Sequence, residues 1–123
     1  GIIQFIPNTS VGHIGIERDE KTSLPSSYYS KFPNCEGKYI FITDPMLATG
    51  GSATYAIEVV KKLNPKKISL LTIISAPEGI KHIHEKFPDI EIFTACVDSH
   101  LNENKYIVPG LGDFGDRLYD TIN

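Results

Sequence analysis

Cysteine is scarce in this chain. Cys35 and Cys96 stand alone with no CxxC spacing, so neither a zinc site nor a dithiol redox motif is indicated. Two isolated thiols suit a reduced, cytoplasmic protein better than a disulfide-stapled secreted one. A surplus of positive charge is also absent. With 12 Lys and Arg against 15 Asp and Glu, the formal charge is -3 and the pI is near 5.8. A nucleic-acid or anionic-membrane binder would present a basic face, so neither partner is expected, although a local positive pocket is still allowed. Long hydrophobic runs are lacking as well. The longest, Ile68 to Ala76, is interrupted by Thr72 and Ser75 and is far too short to span a bilayer.

No repeat or low-complexity tract interrupts the chain. The histidines lack metal-ligand spacing. His82 and His84 are two apart, so on a helix they point roughly 200° from one another, while His13 and His100 have no spaced partner. All four read as structural or surface groups, and no protein metal cluster is expected. There is no initiator Met, and the chain starts on Gly1 and an apolar run with no charged leader. The beginning reads as a cut through an element that continued upstream.

What is present describes one small globular domain, 1–123. At 123 residues, 41% hydrophobic and 22% charged, it can bury roughly two thirds of its unfolded surface in a single core. Residues 2 to 6 are too few to classify, and Pro7 to Ser10 signal a turn. A strand is predicted from Val11 to Glu17, followed by a stretch around Leu24 to Ser30 that is either an extended arm or a solvated loop. Lys38 to Thr43 is apolar on both alternating faces, which predicts a strand buried between helix layers.

From Ser52, the apolar residues Ala56, Val59, Val60 and Leu63 recur at helical spacing, with Glu58 and Lys62 placed to pair at i,i+4. Lys67 to Ser75 reads as a second buried strand, Pro77 to about Phe87 as a helix, and Ile90 to Ala95 as a third strand. This alternation predicts the α/β class, an open and mostly parallel sheet built from right-handed βαβ units. Near the end, Gly110, Gly112 and Gly115 fall within six residues, where positive φ or close approach to a ligand is cheap. Asp116 to Ile122 has room for a last helical turn or two.

The chemistry concentrates in Phe41 to Ala53, FITDPMLATGGSA, where a strand meets a small-residue loop and then a helix. In open α/β sheets ligands bind beyond the carboxyl ends of the strands, and a helix N-terminus offers free amides to an anion. Thr49, Gly50, Gly51 and Ser52 supply such amides, two hydroxyls and glycines that let a phosphate touch the main chain. A simple tight turn before a capped helix is the plainer alternative. No Lys follows the glycines and GxGxxG is absent, so neither a Walker loop nor a dinucleotide fingerprint applies. Asp44, ahead of the cradle, suits ribose hydroxyls or a hydrated Mg²⁺; its plainer role is an N-cap or Asx turn.

These residues resemble a known family. FITDPMLATGGSA is similar to the phosphoribosyl-diphosphate signature of uracil phosphoribosyltransferases, and DPMLATGGS carries their version of it. IERDEKT, Ile16 to Thr22, resembles the segment that brings an arginine to the diphosphate. YIVPGLGDFGDR, Tyr106 to Arg117, resembles the uracil-binding segment. APEGI and LNENKYIVPG agree with the same family, and the likeness runs from about Val11 to the end. Most phosphoribosyltransferases of this class have two adjacent acids at the head of the signature. Pro45 in the second place marks the uracil branch and leaves Asp44 alone in the acidic role.

The resemblance implies an incomplete sheet of the type I phosphoribosyltransferase kind with a β-arm. It implies that Arg18, Asp44 and Asp113 are catalytic. The phosphoribosyl diphosphate would be held by Arg18, Asp44, Pro45, Met46, Leu47, Ala48, Thr49, Gly50, Gly51, Ser52 and Asp113. Uracil would be read by Ile107, Gly112, Asp113 and Phe114. Mg²⁺ would enter bound mainly to the substrate diphosphate. The arm around Thr22 to Phe32 would pack across a homodimer or higher homo-oligomer, which gives Tyr28 and Tyr29 a packing role; Tyr106 also reads as packing. The implied reaction joins uracil to 5-phosphoribosyl 1-diphosphate, giving UMP and diphosphate. The lack of a nucleophile with a base beside it agrees with catalysis by positioning and leaving-group neutralisation.

Family enzymes are longer, and their PILRAG-like loop, which binds the diphosphate, has no counterpart here. The chain therefore reads as a C-terminal portion with little activity by itself. Two other readings stay open on the residues. One is a non-catalytic module sensing uracil or UMP, as in a uridine-kinase-like fusion. The other is a phosphoribosyltransferase for another base, such as a purine.

Overall fold

The computed structural model describes residues 1–18 and 25–121. A short helix, α1 (Ile2–Phe5), opens the chain without burying any residue. Strands β1 (His13–Arg18) and β2 (Pro25–Lys31) then form an antiparallel ribbon of their own, running from His13 opposite Lys31 to Arg18 opposite Pro25. Of the two forms considered for Leu24 to Ser30, the extended arm is the one formed from Pro25 on. Thr22, Ser23 and Leu24 of the expected arm lie outside the described residues.

The centre of the molecule is a parallel sheet in the order β3 (Tyr39–Leu47), β4 (Lys67–Ser75), β5 (Glu91–Val97). Helices α2 (Gly51–Lys61) and α3 (Pro77–Lys86) make the two crossovers. This is the open α/β architecture expected from the sequence, and β4 keeps the predicted bounds. Strand β3 does not. It runs on to Leu47 instead of ending at Thr43, so Asp44 to Leu47 belong to the strand and the expected loop from Asp44 to Ser52 shrinks to Ala48 to Gly50. Pro45 normally signals a break because it has no N–H to donate. At the edge of a sheet that loss is tolerated, and the ladder passes it by, pairing Asp44 with Thr72 and Met46 with Ile74.

Both helices bury their apolar stripes on one face of the sheet. Ala53, Ile57 and Val60 of α2 meet Leu47, Ile68 and Leu70 of the strands, Ile83 of α3, and Phe87 and Ile90 beyond it. The expected helical stripe is real, with Ala56 and Val60 buried and Val59 and Leu63 half-buried. The expected Glu58–Lys62 pair does not form. Glu58 instead meets Lys86 of α3 at 2.6 Å, because the packed neighbouring helix offers a nearer cation. The opposite sheet face corrects a second expectation. Tyr39, Phe41, Ile73 and Phe93 are exposed there, so β3 is covered on one side only rather than buried between two layers.

Beyond β5 the chain forms a small antiparallel hairpin, β6 (His100–Leu101) with β7 (Ile107–Val108), and then α4 (Phe114–Tyr119). Two-residue strands are too short to leave a period, so the sequence predicts no hairpin here. Among the described residues no helix is long and apolar enough to cross a membrane.

This layering makes a direct prediction. Ile57→Ala, at a fully buried position, should lower unfolding stability in urea by about 2–5 kcal/mol, whereas Phe41→Ser on the bare face should stay within about 1 kcal/mol. Equal losses at the two positions would contradict the one-sided core.

Candidate active site

The turn from β3 into α2 depends on a close approach by α3. The amide of Ala76 donates to the Leu47 carbonyl at 2.8 Å, which brings the start of α3 to the end of β3. A Cβ on Gly79 would collide with the Ala48 carbonyl oxygen, so only glycine allows this contact. Gly50 is the N-cap of α2 in the left-handed region at φ 84, and a side chain there would press within 3.2 Å of the His82 ring. His82 is thus a packing neighbour of the turn.

α2 starts without a capping side chain. Helix geometry leaves the first amides, on Gly51, Ser52 and Ala53, without intrahelical acceptors; the first such bond runs from the Thr54 amide to the Gly50 carbonyl at 2.8 Å. The same turn buries the Thr54 hydroxyl with no hydrogen-bond partner among the described residues. An uncapped helix start with a left-handed glycine before it offers free amides of the kind that anions accept from. Leu47 differs from the rest of the signature. The whole residue is 1% exposed and belongs to the core, and its carbonyl is taken by the Ala76 amide, so it presents almost nothing to a ligand.

A cavity of about 510 Å³ opens beside this turn. Asp44, Pro45, Met46 and Ala48 line one side, and Ile107, Gly112, Asp113 and Phe114 line the other, together with Asn104, Lys105, Tyr106 and Gly115. Two stretches some sixty residues apart in sequence therefore share one cavity. Thr49 to Ser52 do not line it; they form the adjoining cradle. Asp44 is half-buried and accepts from the Met46 amide at 3.2 Å, an Asx-type contact inside a strand. Asp113 caps α4, accepting from the Asp116 amide at 3.0 Å. Arg18 ends β1, and its side chain lies outside the described residues.

The sequence does not single out Asn104 or Lys105, it assigns Tyr106 to packing, and it marks Gly115 only as one of three glycines where close approach is cheap. Their signal is the loop itself. Asn102 Oδ1 accepts from the amides of Asn104 and Tyr106 at 3.0 and 2.9 Å, while the Lys105 amide donates to the Asn102 carbonyl at 2.8 Å. This closes the β6–β7 turn over the cavity. The glycines behind it hold the far wall. Gly110 adopts φ 51, its amide donates to Asp98 Oδ2 at 2.9 Å, and a Cβ there would collide with the Ile107 carbonyl.

The hairpin is tied to α3 by Glu78, which accepts from the Leu101 amide at 3.0 Å. That bond, then its own main-chain amide, holds the Glu78 carboxyl below its ordinary 4.5; the His100 charge adds to this, and burial opposes it. The cysteines are free, with Cys35 buried and Cys96 exposed. The hydrogen bond from Cys96 to Asp98, followed by burial, pushes that thiol up, which makes it a poor nucleophile.

The chain combines an open parallel sheet, an uncapped helix start and an acid, Asp44, near the end of β3, an α/β arrangement that it shares with phosphoribosyltransferases. A purine phosphoribosyltransferase from Pyrococcus horikoshii Ot3 shares the fold at a TM-score of 0.60, with 18% identity over 83% of this chain and 70% of that one. Within that class, the chain belongs to the uracil phosphoribosyltransferase family, whose family model matches residues 1–121. A uracil phosphoribosyltransferase of Agathobacter rectalis is 50% identical over 98% of this chain. The AQ2163 protein of Aquifex aeolicus superposes with a TM-score of 0.90 at 50% identity, over 95% of this chain and 56% of that one. The chain spans 58% of the length of the Agathobacter relative.

Glu78 generates a pH test. Its carboxyl is depressed in the folded state, so its tie to Leu101 contributes fully above about pH 4.5 and is lost as pH falls through the lowered value. Hydrogen-exchange protection of the Leu101 amide should follow that loss, and Glu78→Ala should abolish it at pH 7. Protection unchanged in the variant would show that the hairpin is anchored elsewhere.

Proposed function

We propose that the full-length protein is a uracil phosphoribosyltransferase, joining uracil to C1 of 5-phosphoribosyl 1-diphosphate to give UMP and diphosphate. The observation that carries this reading is the single cavity lined by both Asp44 to Met46 and Ile107 with Gly112 to Phe114. The adjoining amides of Gly51, Ser52 and Ala53 hold the 5-phosphate, and Asp44 takes the ribose hydroxyls. The main chain at Ile107 and Gly112 to Phe114 reads the polar edge of uracil, and Asp113 approaches the ribosyl diphosphate. Arg18 neutralises the leaving diphosphate.

C1 gains oxocarbenium character as its bond to diphosphate breaks and its bond to the uracil nitrogen forms. These residues therefore act by positioning and by offsetting charge.

The donor set suits a Mg²⁺ ion carried by the substrate. Among the described residues no three His, Cys, Asp or Glu side chains converge on one point, whereas Asp44 and Asp113 line the same cavity. One or two carboxylates with phosphate oxygens and water are what Mg²⁺ takes. Bound in this way, the ion supplies charge neutralisation at the diphosphate. The β1–β2 ribbon, which makes its own sheet, supports pairing with a second copy, and the composition supports a cytoplasmic enzyme.

Asp44→Asn in the full-length protein should lower kcat/KM for UMP formation by about 10²-fold or more, the scale of losing one preorganised electrostatic contact. Turnover retained by that variant would remove Asp44 from the mechanism, and a wild type that forms no UMP would overturn the assignment. The 123 residues alone, with a bare sheet face, should form little UMP; turnover comparable to the full-length protein would show that this part suffices.

A further inference from the structure

The cavity has an unusual charge balance for a site that takes a highly anionic substrate. Among the described residues, its lining carries two carboxylates, Asp44 and Asp113, and Lys105 is the only Lys or Arg there. Among the described residues the Lys105 ammonium makes no ion pair.

Its backbone is also exceptional. Four described non-glycine residues have positive φ, and three of them are Asn8, Asn64 and Asp120, types whose short polar side chains accept that region. Lys105, at φ 64, is the fourth. A long cation held in a disfavoured conformation by three hydrogen bonds to Asn102 is an outlier at the mouth of a binding cavity, where such conformations tend to serve function.

We propose that Lys105 is a substrate-positioning cation that binds the diphosphate end of the phosphoribosyl donor and offsets the repulsion from Asp44 and Asp113. This rests on the phosphoribosyltransferase reading above. The diphosphate end is chosen over the 5-phosphate because the Thr49 to Ser52 cradle does not line the cavity that Lys105 shares with Asp113. An ammonium at an open mouth acts through a screened charge, so its effect is moderate and falls as salt rises.

The test is calorimetric titration of the full-length protein with 5-phosphoribosyl 1-diphosphate and, separately, with UMP, each with Mg²⁺ at low and high salt. Lys105→Gln should weaken the diphosphate ligand about three- to tenfold at low salt, by less at high salt, and leave UMP within about twofold. Lys105→Arg should restore the affinity. Lys105→Gly, which relaxes the backbone, should raise Tm yet show the same selective loss, a combination that a purely structural lysine would not produce. Unchanged diphosphate affinity in the Gln and Gly variants, or equal loss for both ligands, would overturn the inference alone. A wild type binding neither ligand would overturn the reading beneath it and this inference with it.

Discussion

The carbonyl oxygen of Ala48 occupies the space that a side chain on Gly79 would need, and the placement of the site follows from that contact. With the Ala76 to Leu47 hydrogen bond beside it, this contact locks the start of α3 to the end of β3. The turn from Ala48 to Gly50 then has one course open to it. Gly50 must turn left-handed against His82, and α2 must begin with its amides bare. Close packing of small residues thus creates a polar vacancy, because no side chain is left to cap the helix. The start of α3 also holds the hairpin through Glu78, so both walls of the cavity are referred to α3.

The arrangement separates stability from chemistry. One sheet face is filled by Leu47, Ile57, Leu70 and Ile83, which are almost wholly removed from water and fix the strand ends. The groups that face the cavity lie at those ends and in turns, where main-chain polar atoms are available. Leu47 and Ala48 mark the boundary. The first is a core residue and the second a cavity residue, one peptide apart.

Much of this was legible in the residues. The continuous apolar runs gave the strands of the central sheet, the helical stripe gave α2, and the acid followed by TGGS marked the strand-to-helix junction at which α2 starts uncapped. Other features were hidden for physical reasons. Pro45 reads as a break, yet an edge strand tolerates a missing donor, so β3 reaches Leu47. Apolar residues on both faces of β3 suggested two covering layers, because side-chain type carries no information about which face has a partner. The Glu58 to Lys86 pair escaped for a related reason, since helical spacing reports only neighbours on the same helix. The two-residue strands of the hairpin are below the length at which any period can be read.

By itself the sequence determined the α/β class, the order of the central strands and helices, and the place of a glycine-rich strand-to-helix turn beside an acid. These follow from local chemistry: chain periodicity, glycine freedom and the acid beside the cradle. Tertiary structure alone decided that Asp44 and Asp113 share a cavity, that Lys105 faces it, and that Leu47 is turned away from it. Those facts depend on contacts between residues far apart in the chain, above all Gly79 against Ala48, and no local pattern encodes the distance that such packing closes.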